Sequence, residues 1–214
     1  MNQLLAYIGY LILLLNLVLF FIRFSNQGKA YKIFVFYLGL VFVVQILAEI
    51  LIQQKRNNLF LSHFYFIGQF VVLSIFYLNI LKKVDFQRKI VKGGLIIGLL
   101  IIAFQYIKEP EAFLKFNLFE IILTSILLVA YAAFYFYNQL TTENRDFYYI
   151  NMGILLYLSG SCILFLVGNL MTSLSPKLNK IPWILNAFLY IIYQLFILVE
   201  WKQSFYKRKD QKSL

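Results

Sequence analysis

Long apolar runs separated by short polar breaks form the main pattern of this chain. A helix that crosses the hydrocarbon core of a bilayer needs about 20 mostly apolar residues. Runs of that kind lie at residues 4–23, 32–52, 59–81, 91–107, 117–138, 147–171 and 182–200. The pattern predicts an all-α polytopic membrane protein: a transmembrane bundle of seven helices over residues 1–200, followed by a basic cytoplasmic tail at 201–214.

Composition supports the membrane assignment. Of the 214 residues, 62% are hydrophobic and 14% are charged, whereas a soluble domain has about a quarter charged residues. These values exclude a soluble enzyme, a disordered chain and a disulfide scaffold. The runs are continuously apolar, which favours helices over the alternating strands of a β-barrel. The first run follows no basic segment and is longer than a signal sequence requires, so we expect it to be a retained helix.

Lysine and arginine are distributed unequally between the breaks. Successive breaks lie on alternate sides of the membrane. The side that holds the N-terminus then carries six of the 20 basic residues, and the other side carries fourteen. The six are Lys55, Arg56, Lys108, Lys115, Lys177 and Lys180. The positive-inside rule then predicts an outer N-terminus and a cytoplasmic C-terminus in a bacterial inner (plasma) membrane. This bias and contact with anionic lipids account for the net charge of +11, so no nucleic-acid partner is needed. The tail segment 207–209 is interpreted as a membrane-surface anchor.

Polar residues form stripes along several of the predicted helices. The second span carries Gln45, Glu49 and Gln53, which are four residues apart and share one face. The fifth span carries another single-face set, made of Asn117, Glu120, Thr124 and Tyr131. Such stripes often serve only to join helices by hydrogen bonds, and this structural interpretation stays open.

The predicted orientation places many of these groups at one level, in the outer third of the membrane. They are Glu49, His63, Gln105, Tyr106, Glu120, Asn169 and Asn186. Ionisable residues inside a membrane usually face the bundle interior and mark a functional site. The sequence therefore predicts a polar cavity that opens outward. The candidate ligand-binding residues are Glu49, His63, Gln69, Glu120 and Asn186.

Known catalytic motifs are missing from the sequence. It has no HExxH, GxSxG, Walker A or CxxC motif, and its one histidine and one cysteine make a zinc site improbable. The sequence thus predicts no catalytic residue, no metal and no cofactor. An intramembrane lipid-modifying enzyme would have to rest on Glu49 and Glu120 as an acid/base pair.

Three segments carry a resemblance to a known group. They are His63–Phe70 in the third span, Phe119-Glu120 at the start of the fifth, and Leu156–Ser161 followed by Leu164-Phe165 in the sixth. In these segments the chain resembles a group of small seven-helix membrane proteins of Bacteroidota, often found near sensor histidine kinase genes. Gln69 stands where that group tends to have glutamate. The resemblance implies a signalling role by association.

The leading hypothesis is a membrane-embedded sensory subunit. Its outer cavity would bind a small or amphipathic ligand, and the subunit would pass its state to a separate signalling protein. An oligomeric pore or membrane-perturbing accessory protein, as in phage-defence or CRISPR-associated systems, is the main alternative, and a transporter ranks below it. Small residues such as Gly153 and Gly160 would suit either internal packing or a homo-oligomer.

Overall fold

Seven α-helices make up most of the described part of the chain. The computed structural model describes residues 2–81, 84–140, 145–174 and 180–206. Within these ranges the helices are α1 (Asn2–Ile22), α2 (Lys29–Gln53), α3 (Phe60–Ile80), α4 (Asp85–Lys108), α5 (Leu118–Gln139), α6 (Tyr148–Leu174) and α7 (Lys180–Glu200). A short 3₁₀ segment, Pro110–Leu114, follows α4.

All seven of these helices are long and apolar enough to cross a bilayer. The predicted all-α class with seven helices of membrane-spanning length is therefore confirmed. The largest difference concerns α4, which begins at Asp85 rather than near residue 91. Its first two turns are polar, and an acidic residue in the first turn is favourable at a helix N-terminus. A prediction from apolar content alone therefore placed the first residue of α4 too late in the sequence.

Residues 24–131 form one compact unit. In this unit α2 packs on α3, and α3 packs on α4. Aromatic side chains fill the interior: Phe34 lies 5.6 Å from Phe76, measured between ring centroids. Gly98 on α4 allows a close approach, because a Cβ atom there would lie 3.1 Å from the ring of Phe70. The first part of α5, up to Tyr131, belongs to this unit.

Residues 1–23 and 132–214 form the other compact unit. Here α7 packs against both α6 and α1. The Tyr157 and Tyr193 rings stack at 5.2 Å and 4°. Gly153 makes room for this stack, since a Cβ atom there would lie 2.8 Å from the Tyr193 ring. The side chain of Asn16 joins α1 to α7 by donating to the backbone oxygen of Gln194 at 2.8 Å.

The carboxylate of Glu200, the last residue of α7, caps the N-terminus of α6. Glu200 is fully buried. It accepts hydrogen bonds from the backbone N–H groups of Phe147 at 2.9 Å, Tyr149 at 2.7 Å and Ile150 at 3.4 Å. The first N–H groups of a helix have no partner within the helix, so a distant carboxylate is an effective cap.

The chain continues as a single π-helical turn, Trp201–Tyr206, beyond α7. The predicted boundary between the bundle and the tail, at residue 200, thus falls between two consecutive helical segments. The predicted surface anchor at residues 207–209 lies outside the described residues. So do parts of three predicted breaks, at residues 82–83, 141–144 and 175–179.

Candidate functional site

Three helices of the unit formed by residues 24–131 meet at a buried polar cluster. His63 of α3 lies with its Nδ1 atom 3.1 Å from Oε2 of Glu120 on α5. Tyr106 of α4 places its hydroxyl 2.8 Å from the same Nδ1 atom and donates to Oε2 of Glu120. The exposed fraction is 2% for His63 and zero for Glu120. These two side chains are therefore held within protein, away from water and lipid.

Asn117 fixes the start of α5 and completes the cluster. Its backbone oxygen accepts from Ile121 N–H at 3.3 Å, and its side-chain oxygen accepts from Glu120 N–H at 3.3 Å. This arrangement is that of an N-cap residue. Because a backbone N–H can only donate, the contact with Glu120 determines which end of the Asn117 amide is the oxygen.

The amide nitrogen of Asn117 consequently faces α4. It donates to the Tyr106 hydroxyl at 3.1 Å and to Oε1 of Gln105 at 3.0 Å. Gln105 returns a hydrogen bond from its own nitrogen to the Asn117 oxygen at 3.3 Å. We refer to these five residues as the His63 cluster: His63, Gln105, Tyr106, Asn117 and Glu120.

Hydrogen-bond directions in the His63 cluster place a hydrogen on Nδ1 of the imidazole. Tyr106 has one hydroxyl hydrogen, which goes to Glu120, so its oxygen can only accept from Asn117 and from His63. Nδ1 of His63 then carries a hydrogen. Nε2 accepts a hydrogen bond when the ring is neutral and donates one when the ring is an imidazolium.

Two polar atoms of the His63 cluster are buried without a hydrogen-bond partner among the described residues. They are Nε2 of His63 and Oε1 of Glu120. A buried polar atom that lacks a partner costs about 1–3 kcal/mol. Such an atom requires an explanation, which can be a functional role or a group supplied by another molecule. Oε1 of a carboxylate accepts hydrogen bonds, and Nε2 accepts as well when the imidazole is neutral.

A ring from the 3₁₀ segment covers His63. Phe113 stacks on the imidazole, with ring centroids 5.1 Å apart and planes inclined by 25°. It also lies 5.9 Å from the Tyr106 ring, edge to face. The side chain of Phe113 is itself 39% exposed. The partly exposed ring of Phe113 thus covers one face of the His63 imidazole.

The structure brings together two of the five predicted ligand-binding residues, His63 and Glu120. Gln69 lies further along α3, and its side-chain nitrogen donates to the Tyr37 hydroxyl at 3.4 Å. Glu49 is half-buried and accepts a hydrogen bond from Gln53 at 3.3 Å, one turn further along α2. Asn186 belongs to the other compact unit, where it accepts from the Ser161 hydroxyl at 2.7 Å.

Three members of the His63 cluster were not among the predicted site residues. Gln105 and Tyr106 were placed at the outer level by the sequence, and Asn117 was placed on the same face as Glu120. The spacing Asn-x-x-Glu before an apolar run is also a helix-start signal. These signals gave the positions of the three residues. They did not identify them as site residues, because tyrosine and amide side chains also form hydrogen bonds in ordinary helix packing.

The His63 cluster has one histidine and one carboxylate, which is a poor donor set for a metal. No group of three or more histidine, cysteine, aspartate or glutamate side chains with metal-binding geometry occurs in the described part of the chain. The two buried atoms without a partner instead fit hydrogen bonding to a polar group.

Comparison with protein-family models, with curated proteins and with solved structures gives no match for this chain.

Proposed function

We propose that this chain is a sensory subunit of a bacterial inner membrane. In this proposal the His63 cluster responds to a small or amphipathic ligand on the outer side, and the bundle passes its state to a separate signalling protein. The observation that carries the proposal is the pair of buried atoms without a hydrogen-bond partner among the described residues, Nε2 of His63 and Oε1 of Glu120, in a network contributed by α3, α4 and α5.

The network has the physical properties that a ligand-responsive element needs. Each of its three helices contributes a side chain to the same set of hydrogen bonds. A ligand that forms hydrogen bonds with these two atoms would stabilise the helix positions in which those bonds can form, relative to positions in which they cannot. Differential affinity of this kind is the requirement for a ligand to shift a conformational equilibrium.

The position of the His63 cluster supports access from one side of the membrane. Asn117 precedes the first residue of α5, and Tyr106 lies in the last turn of α4. Both helix ends join at the 108–117 connection, which the distribution of lysine and arginine predicts to be outside. A ligand in the outer leaflet or outside the cell would in this proposal approach His63 from the side that the partly exposed Phe113 ring covers.

Native mass spectrometry of the purified protein tests the proposal. We expect the wild-type chain, gently released from detergent, to retain a discrete additional mass. The Glu120→Gln variant should lose this mass, because it exchanges an acceptor oxygen for a donor nitrogen in the network. Glu49→Gln is the matched control, since Glu49 contacts Gln53 on α2, and it should retain the mass.

Two results would contradict the sensory proposal. One is a wild-type chain that carries no additional mass, particularly if it forms a defined ring, which would favour the pore hypothesis. The other is equal retention of the mass by the wild type, Glu120→Gln and Glu49→Gln, which would separate ligand binding from the His63 cluster.

A further inference from the structure

A surface groove of about 290 Å³ runs beside the His63 cluster, along the last turns of α4 and the start of α5. Its apolar wall is made of Ile101, Phe104 and Phe119. All three side chains are exposed. The helices that carry them, α4 and α5, are each long and apolar enough to cross a bilayer. Acyl chains are the apolar molecules that a membrane supplies to such a surface.

The polar end of this groove carries both signs of charge. Lys108 and Glu109 line it, and the same two residues line an adjoining depression of about 400 Å³ over the 3₁₀ segment. In that depression Lys115 pairs with Glu111 at 3.1 Å. We call the two parts together the α4–α5 groove.

The charge pattern of the α4–α5 groove favours a zwitterionic occupant. The Lys108 ammonium lies 4.7 Å from the Phe104 ring centroid, and neither Lys108 nor Glu109 forms an ion pair within the described ranges. A phosphate group would be attracted to Lys108, whereas a purely anionic headgroup would be repelled by Glu109. A headgroup that has both a phosphate and a primary ammonium would complement the two side chains.

Gln105 connects the α4–α5 groove to the His63 cluster. It lines the groove, and its amide is paired with that of Asn117 at 3.0 and 3.3 Å. Asn117 in turn donates to the Tyr106 hydroxyl. A molecule that moves Gln105 would therefore change the hydrogen bonds received by Tyr106.

We propose that the α4–α5 groove binds a phospholipid with a phosphoethanolamine headgroup, and that Gln105 transmits its binding to the His63 cluster. The apolar wall holds the upper part of an acyl chain. Lys108 holds the phosphate, and Glu109 accepts hydrogen bonds from the ammonium. The transmission step rests on the proposed sensory function, whereas the binding step does not.

Lipid retention measured by native mass spectrometry tests the binding step. The protein is given phosphatidylethanolamine, phosphatidylglycerol or phosphatidylcholine with identical acyl chains. We expect the wild type to retain the ethanolamine lipid over the glycerol lipid by about two- to fivefold, the range for exposed charge pairs. Choline carries no N–H donor, so phosphatidylcholine should be retained less than phosphatidylethanolamine.

Variants of the two charged residues separate their roles. Glu109→Gln should remove the preference for the ethanolamine lipid, and Lys108→Ala should lower retention of all the phospholipids. Asp85→Asn is the matched control for the acid, because Asp85 begins α4 at the opposite end of this 24-residue helix. Arg56→Ala is the control for the cation, since Arg56 is exposed and follows α2. Both controls should keep the wild-type order.

Other outcomes would overturn the binding step. Equal retention of all lipids by the wild type, or a preference for phosphatidylglycerol, would exclude zwitterion recognition. Displacement of the lipid by an equal concentration of glycerophosphoethanolamine, which has no acyl chains, would show that the ligand is a soluble headgroup.

Hydrogen exchange distinguishes failure of this inference from failure of the sensory proposal. Asn117 accepts from the backbone N–H of Glu120 and is paired with Gln105, so phosphatidylethanolamine should change the exchange of this N–H in the wild type and should not change it in Gln105→Leu. If the wild type prefers the ethanolamine lipid but its exchange at Glu120 does not change, the lipid site stands and the coupling is wrong. If lipid retention is unselective while Glu120→Gln still loses its co-purified mass, the lipid site is wrong and the sensory proposal stands.

Discussion

At the scale of single residues, the two carboxylates that the sequence singled out have different surroundings. Glu120 is fully buried and receives hydrogen bonds from the His63 and Tyr106 side chains. Glu49 is half-buried and is bonded to Gln53 within its own helix. Hydrophobic periodicity assigns a face to each residue, but it does not give the side chains opposite that face. For this reason the two appeared equivalent in the sequence.

Replacement of Glu120 by alanine should therefore destabilise the protein. The variant leaves the Tyr106 hydroxyl and His63 Nδ1–H without their buried acceptor, which should cost about 1–3 kcal/mol. Glu49→Ala should change stability by less than about 0.5 kcal/mol, as expected for a position away from a buried network. Thermal unfolding in detergent measures both. Equal losses in the two variants would contradict this difference.

Glu200 shows how much a single residue at a helix end can depend on contacts that are distant in sequence. It is the last residue of the predicted seventh span, 182–200, and nothing in that run indicates a partner for it. In the structure it accepts three backbone hydrogen bonds at the N-terminus of α6. The 50-residue separation from Ile150 excludes any local capping motif that could have revealed this role.

Replacement of Glu200 by alanine should loosen the first turn of α6. We expect a loss of about 1–3 kcal/mol, because buried N–H groups lose their acceptor. Glu200→Gln should lose less, since its amide oxygen still accepts. Hydrogen exchange at the amides of Phe147, Tyr149 and Ile150 gives a local measurement. Unchanged exchange in the alanine variant would show that another group caps the helix.

At the scale of elements, the end of α2 has the geometry of a glycine-terminated helix without a glycine. Arg56 N–H bonds to Leu51 O at 2.9 Å, and Lys55 N–H bonds to Ile52 O at 2.9 Å. This is the Schellman arrangement, in which the residue after the cap adopts a left-handed conformation. Here that residue is Lys55, with φ of 55°.

Lys55→Gly should accordingly stabilise the protein. The left-handed conformation costs a non-glycine residue about 1–2 kcal/mol, part of which is offset by the greater freedom of glycine in the unfolded chain. We expect a net gain of about 0.5–1 kcal/mol in thermal or denaturant unfolding. Lys55→Ala removes the same charge but keeps the strain, so it should give no gain. An equal gain from alanine would assign the effect to charge.

At the scale of the whole molecule, seven helices of membrane-spanning length are established in the described ranges, whereas their direction across the membrane remains a prediction from lysine and arginine. That prediction matters for the proposals above. It places the 108–117 connection, the His63 cluster and the α4–α5 groove on the outer side.

Cysteine labelling in intact cells tests the direction. In a Cys162→Ser background, Lys115→Cys should react with a membrane-impermeant maleimide added from outside. Lys29→Cys should react only after the membrane is opened. Arg56→Cys, predicted to share the side of Lys115, provides an independent check. The reverse pattern would place the His63 cluster on the cytoplasmic side and remove the outward-facing part of the sensory proposal.

The sequence by itself determined the helices and their polar faces, because both follow from local properties. A run of apolar residues is a membrane span wherever it occurs. Asn117, Glu120, Thr124 and Tyr131 lie on one face because of helical geometry, and all four are buried.

Only the tertiary structure decided which polar side chains meet. The contact of His63 with Glu120 bridges 57 residues, and it depends on the rotation and height of α3 relative to α5. Those quantities are determined by the packing of many apolar side chains, such as the ring of Phe70 against Gly98. No periodicity in a single segment encodes them. The partners of Glu120 and Glu200, and the separate hydrogen bonds of Glu49, Gln69 and Asn186, therefore became visible only in the folded chain.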